Sequence, residues 1–405
     1  MTKTYRVLTL ICLGGLFLLA QQAAVAVKET SEQRNARFLK QSKDAEAKGL
    51  AEPFRGVTTN GTVQTGLFGI QSTGVSTAPV RKAADAFLAA LTPEERSKTM
   101  FPVDDPEWRK WMNQHFYVRQ GVSFKEMSES QRAAGIGLLR AALSAKGLKL
   151  SRDIMRLNQT LGELNNDFEQ YGEFLYYITV MGKPSEKEPW GFQVDGHHLI
   201  INYFVLGDQV VMTPLFVGSE PAVAHSGKYQ GVAVLQVERT RGLAMIHALD
   251  DAQRKKAVIR VSKTGNDNVG EAFKDNLVLD YAGIRADAFS PEQKNLLLEL
   301  VGEFVDNMDD GHARVKMSEV KAHLNETYFA WIGGDSVDSV FYYRVHSPVI
   351  LIEFDHQLPA NLRQLAANPN LPSLEHIHAV VRTPNGNDYG KDLLRQHYQM
   401  DPHTR

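Results

Sequence analysis

Seven apolar residues, Trp190, Phe192, Val194, Leu199, Ile200, Ile201 and Tyr203, are matched at a constant offset of 151 by Phe341, Tyr343, Val345, Ile350, Leu351, Ile352 and Phe354. A constant offset over two neighbouring strand-like runs points to an internal repeat, and a repeat restricts the chain to folds that can be built twice. What precedes each run agrees. Ser128 with Gln131, and Ser290-Pro291 with Gln293, place a capping residue and its reciprocal partner three positions on, ahead of the apolar stripes Ala134, Leu138, Leu139, Ala142, Leu143 and Leu297, Leu300, Val301, Phe304. Thr92-Pro93-Glu94-Glu95 signals another helix start, and Val80, Ala83, Ala84, Phe87, Leu88 and Leu91 recur at helical spacing before it. The period then shortens to two in Phe174 to Val180 and Gly191 to Val205, and again in Tyr328 to Ile332 and Val340 to Phe354, with Gly/Pro/Asp turn signals between.

These patterns predict an α+β protein of two tandem halves, residues 78–230 and 231–405, each with helices followed by antiparallel strands that share one sheet or pack as two. Residues 1–26 read as an export signal: Lys3 and Arg6, the 13-residue apolar run Leu8 to Ala20, then Ala24-Val25-Ala26 as a cleavage site. That run is shorter than the 18 or more residues of a usual membrane span, so the mature chain is expected in the periplasm or outside the cell, free of the membrane. Residues 27–77 are expected to form a polar leader, an exposed helix or flexible chain, followed by an extended Gly/Thr-rich segment from Val57 to Thr77.

The one cysteine, Cys12, lies inside the signal, so the mature chain has neither disulfide nor thiolate ligand, and any metal site must use His, Asp or Glu. Removing Lys3 and Arg6 leaves 43 basic against 47 acidic residues, a charge near −4. With no basic block interleaved with aromatics, a nucleic-acid surface is not expected, and a small molecule is the expected partner. G-x-S-x-G, H-E-x-x-H and Walker patterns are missing, and Gly135-Ile136-Gly137 is followed by Arg140 where a dinucleotide fingerprint needs glycine, so no nucleotide cofactor is expected.

Four polar groups interrupt the apolar runs. His376 and His378 are two apart on a strand, so both imidazoles leave one face side by side. Glu353 and Asp355 share a strand face in the same way, and like charges there need a cation between them or an exposed strand end. Gly196-His197-His198-Leu199 opens a strand that puts His198, Ile200 and Asn202 on one face. Asp388, a helix cap by position, leads into a helix with Gly390, Leu394 and His397 on one side.

Each group has an ordinary structural reading as well: strand histidines, an exposed strand end, a cap. Taken together they point to a metal site with His376, His378 and either Glu353 or Asp355 as ligands. His198 and His397 would be further ligands or acid/base groups, and Asp388 would orient one of the histidines. Such a set suits Zn²⁺, Fe²⁺, Mn²⁺ or Cu²⁺, and with open positions would activate water or oxygen.

At these residues the chain resembles the bacterial and fungal proteins grouped as domain of unknown function 3500. The resemblance runs from about Phe54 to Tyr398 and rests on Phe54-Arg55-Gly56, Thr73-Gly74-Val75-Ser76-Thr77, Trp190-Gly191, Gly196 to Leu199 with Asn202, Glu353 with Asp355, His376-Ile377-His378, and Asp388-Tyr389-Gly390 through His397-Tyr398. It implies that the same polar groups matter and supplies no substrate. Glu375 stands where the family is expected to carry Asn, and the segment Leu358 to Leu374 is longer than the family is expected to have. The expected function is an exported metal-dependent enzyme of oxygenase or hydrolase type acting on a small molecule. The alternatives are a metal- or ligand-binding module without chemistry, and a structural protein with a buried polar network.

Overall fold

The computed structural model describes residues 30–400, so the export signal expected at residues 1–26 lies outside the described residues. We number helices of ten residues or more and strands of five or more. The helices are α1 (Ser31–Gly49), α2 (Ala78–Ala90), α3 (Glu129–Ala142), α4 (Ala145–Asn165), α5 (Gln236–His247), α6 (Pro291–Val305), α7 (Asp310–Ala322) and α8 (Lys391–Met400). The strands are β1 (Tyr176–Met181), β2 (Trp190–Gly196), β3 (Leu199–Leu206), β4 (Leu215–Ser219), β5 (Tyr328–Gly333), β6 (Phe341–His346), β7 (Leu351–His356) and β8 (Ile377–Arg382).

The eight strands form one antiparallel sheet in the order β1-β2-β3-β4-β8-β7-β6-β5, so the two halves meet where β4 pairs with β8. Of the two arrangements expected, the shared sheet is the one present. The element order recurs in each half. In each half a seven-residue helix, Pro93–Thr99 or Asp251–Ala257, leads into a short strand that pairs in parallel with the outermost long strand, Met100–Phe101 on β1 and Val258–Arg260 on β5. The helix starts are alike too. Gln131 and Gln293 complete capping boxes with Ser128 and Ser290, and each amide also donates to the end of the preceding long helix, at Ala90 O (3.2 Å) and Ala248 O (2.8 Å).

The offset of 151 holds in the ladders: Val194 faces Ile201, and Val345 faces Ile352. Gly182, the residue after β1, and Gly333, the last of β5, are also 151 apart and both have positive φ, 77° and 102°. The offset of 151 does not extend past these two hairpins. Ile200 faces Phe216 while Leu351 faces Arg382, so Phe216 holds the ladder place of Arg382.

The two faces of the sheet are covered differently. Ile178, Val194, Ile201, Val217, Ala379, Ile352 and Val345 point to one side, where they pack with residues of α2 to α7 into the main apolar core. The other side carries His378, Asp355, Glu353, Arg344 and Asn202 among apolar residues, and lies beneath irregular chain. Over its first half Ile200, Phe204 and Phe216 meet Trp108, Trp111 and Tyr389. Over its second half lies a loop, residues 263–276. α1 lies outside the sheet, and Ser42 is its one buried residue.

Candidate metal centre

His378 on β8 and His376 just before its first residue point toward the irregular-side loops, and His198 joins them from the two-residue turn between β2 and β3. The sequence places His198 on the strand. Instead it occupies the turn with φ +63°, a left-handed conformation held by its amide donating to Asn113 O (3.1 Å) and its carbonyl accepting from Gly218 N (2.8 Å). The neighbouring His197 ring stacks on it, 4.0 Å between centroids, and is pinned by Asn158 Oδ1 at 2.8 Å from its Nδ1. Gly218, across the ladder from His378, clears the space: a Cβ there would lie 3.1 Å from His378 Cδ2 and 3.3 Å from His198 Cδ2.

The three Nε2 atoms converge. His376 to His378 is 3.0 Å, His198 to His378 is 3.1 Å and His198 to His376 is 3.3 Å, all three residues being buried. An Nε2 either carries a proton or presents a lone pair, so among three at hydrogen-bond distance at least one pair must be alike and repel. His376 Nδ1 donates to Leu358 O (2.6 Å), which leaves its Nε2 as a lone pair in the neutral ring. Burial, then the neighbouring imidazoles, hold His198 and His378 well below the ordinary histidine pKa, so protonation does not relieve the clash.

A cation does relieve it. Ligands at 2.0–2.1 Å from a zinc-like ion stand about 3.3 Å apart at tetrahedral angles and about 2.9 Å at right angles, which brackets the three distances. Among the described residues, these three are the group of His, Cys, Asp or Glu whose ligand atoms lie close enough to hold an ion.

Each outer nitrogen that faces a partner is oriented. Glu271 Oε1 sits 2.7 Å from His378 Nδ1, with Asn268 Nδ2 donating to the same oxygen at 3.1 Å. Burial raises the Glu271 pKa to about 7 against the opposing Asn268 hydrogen bond. A carboxylate behind a metal-binding imidazole fixes its tautomer and raises its basicity. Glu220 lies 3.9 Å from His376 Nδ1.

Glu353 and Asp355 do not join the three histidines as ligands. Glu353 accepts from Val269 N (3.2 Å), Gly270 N (2.7 Å) and Tyr342 Oη (2.6 Å); Asp355 accepts from Asp267 N (2.7 Å) and Asn268 N (3.2 Å) and pairs with Lys263 Nζ (2.9 Å). Burial raises both pKa values, that of Asp355 to about 7. The compensation that these carboxylates need comes from the loop over them, which they fasten to the sheet.

Asp388 is not a helix cap. It accepts from Thr383 N (2.7 Å) and Arg382 Nη1 (3.0 Å), in a buried network where Arg382 also reaches Asp275 Oδ1 (3.0 Å), Gly270 O (2.7 Å) and Glu271 O (2.9 Å). His397 lies elsewhere, its Nε2 3.6 Å from Glu188 Oε2.

All four polar groups thus contribute to one place: two bring together the candidate ligands, His376 with His378 and His198, and Glu353 with Asp355 and Asp388 with Arg382 hold the loop that brings Glu271 to His378. Glu271 is the residue that sequence reasoning misses: it sits in aperiodic chain 107 positions before its partner, and its only signal is a polar, turn-rich run, Asn266-Asp267-Asn268.

No curated protein and no solved structure matches the chain. The family described as a protein of unknown function, DUF3500, matches residues 73–391, a span that holds the three histidines, Glu271 and Arg382. The match covers most of the sequence, and the chain belongs to the DUF3500 family.

Proposed function

We propose that this chain is an exported enzyme that holds a divalent metal between His198, His376 and His378 and uses it to activate water against a small-molecule substrate. The observation that carries the reading is the convergence of three Nε2 atoms at 3.0–3.3 Å. Three neutral imidazoles leave a bound ion its full double charge, which favours zinc and a water of pKa near 7 over the two-histidine, one-carboxylate set of oxygen-activating iron sites. Glu271 supports the ligand set from behind, and Asp388 acts through Arg382 on the loop that carries it. The export reading rests on Lys3, Arg6, Leu8 to Ala20 and Ala24-Val25-Ala26, and is tested by sequencing the N-terminus of the secreted or periplasmic chain.

The central test uses the mature chain without a His tag. Stoichiometric zinc after supplementation with Zn, Fe, Mn and Cu, lost in His376→Ala and His378→Ala, is expected, with turnover of ester, amide or phosphate substrates. Absence of any stoichiometric metal defeats the reading. Substrate-dependent O₂ consumption would move it to oxygen chemistry, and metal without turnover on any panel would make the chain a binding module.

We also infer that the two halves descend from one duplicated unit. The recurrent element order, the shared ladder register and the paired Gln131 and Gln293 contacts support it. Relatives whose halves do not align to each other in this register would refute it.

A further inference from the structure

Beside His376 a cavity of about 430 Å³ opens between α4, the chain after β4 and the long segment 358–374. Its walls are largely apolar, with Leu164, Val223, Leu362 and Leu365 among them, and the buried Glu220 and His376 also line it. Small-molecule sites have this character and this range of size, an apolar body with few polar groups at one place.

The segment that walls the cavity is also tied to the metal centre. Glu220 accepts from three successive amides, Ala360 N (2.9 Å), Asn361 N (2.6 Å) and Leu362 N (3.3 Å), and Leu358 O fixes His376 Nδ1. The wall of the cavity and the orientation of one histidine are therefore set by the same few bonds. Leu365 is 60% exposed, an apolar residue left facing space that a ligand would fill. At the mouth His225 Nε2 and Glu375 Oε1 pair at 2.9 Å, a polar rim around apolar walls.

We propose that this cavity takes the apolar group of the substrate, an alkyl, acyl or aryl group, and directs the polar, reacting end of the molecule toward His376. This rests on the metal reading above. It makes the substrate amphipathic, and it gives the long segment its role: specificity for the group next to the bond that reacts.

The test is a series of straight-chain alkyl hydroxamates from acetyl to octanoyl, titrated against zinc-loaded and metal-free protein by calorimetry. Affinity is expected to rise about fourfold per methylene until the cavity is full. Ala366→Trp and Leu365→Glu are expected to abolish that dependence while zinc stoichiometry and acetohydroxamate affinity stay unchanged. Chain-length-independent affinity in zinc-loaded protein overturns the cavity proposal and leaves the metal centre standing. A dependence that survives both substitutions also overturns it, because the tail then lies elsewhere. If no metal binds but metal-free protein still prefers longer chains in a way the two substitutions abolish, the cavity stands and the metal reading falls.

Discussion

Glu271→Gln isolates what the carboxylate behind His378 contributes, because it removes the charge and keeps the shape. Loss of such a carboxylate weakens metal binding about 10- to 100-fold. The lower part of that range is expected here. Asn268 Nδ2 donates to the oxygen that faces His378, so an amide placed there keeps its oxygen toward Nδ1–H and retains a neutral hydrogen bond. A 10- to 30-fold loss corresponds to about 1.4–2.0 kcal/mol. With zinc at 100 times the wild-type Kd, binding stabilises the native state by about 2.7 kcal/mol, and the variant would retain about 1.4 to 0.9 kcal/mol. A chain of 405 residues has an unfolding entropy of roughly 0.8 kcal/mol/K. The zinc-induced rise in Tm should therefore shrink from about 3 °C to between about 1 and 2 °C. Zinc titration monitored by calorimetry, with thermal unfolding in parallel, measures both quantities. An unchanged Kd and a full Tm rise in Glu271→Gln, with binding lost in His378→Ala, would refute the argument that this carboxylate holds the ligand.

Gly218→Ala pushes a methyl group against His378 and His198 and within 2.7 Å of Ile377 O, so zinc affinity should fall tenfold or more with the fold retained, read by calorimetry and circular dichroism. Arg382→Ala leaves Asp388 buried without its guanidinium and frees Gly270 and Glu271 carbonyls; urea unfolding should show a loss of about 3–5 kcal/mol, and zinc affinity should fall with the loosened loop. Glu107 is buried beside Lys110 Nζ (3.4 Å), and burial raises its pKa from the ordinary 4.5 to about 7. Between those values the folded state binds more protons than the unfolded one, so stability falls as pH rises through 7, and Glu107→Gln should remove that slope and be more stable at pH 8 by on the order of 2 kcal/mol. Urea midpoints at pH 5 and pH 8 check this; identical slopes in both proteins would contradict it.

His376 and His378 were legible because a strand repeats every two residues, and that rule needs nothing beyond the local sequence. His198 was legible as a candidate but not in its geometry, since its left-handed φ depends on Asn113 and Gly218, which the sequence does not place beside it. For Glu353 and Asp355 the physical demand was read correctly, because two buried carboxylates need compensation. The source was not, since backbone amides of residues 267–270 and Lys263 supply what a metal was expected to supply. Asp388 looked like a cap because helix starts favour Asp, while its partner Arg382 is hidden in a strand whose alternation gives no sign of a buried guanidinium. Hairpins and their register were open to reading because local pattern sets them. Loop-to-sheet contacts across 83 to 112 positions were not.

The same ladder positions explain why the centre sits where it does. Asn202 holds the place of Glu353, Phe204 that of Asp355 and Phe216 that of Arg382, so the irregular side of the first half is largely apolar and is closed by Trp108 and Trp111. Asn202 itself is satisfied by its neighbours Gln193 and Pro214 O, each at 2.8 Å, and recruits no loop. In the second half, carboxylates and a guanidinium at those positions need polar partners, and the loop 263–276 supplies amides and Lys263 to the carboxylates and the Gly270 and Glu271 carbonyls with Asp275 to the guanidinium. That loop is what delivers Glu271. The candidate ligands then come from where the halves meet: β8 carries His378 with His376 just before its start, its neighbour β4 contributes the bare Gly218, and the turn before β3 swings His198 over that glycine. Among the described residues neither half brings three candidate ligands together, and the set closes at the seam between the halves.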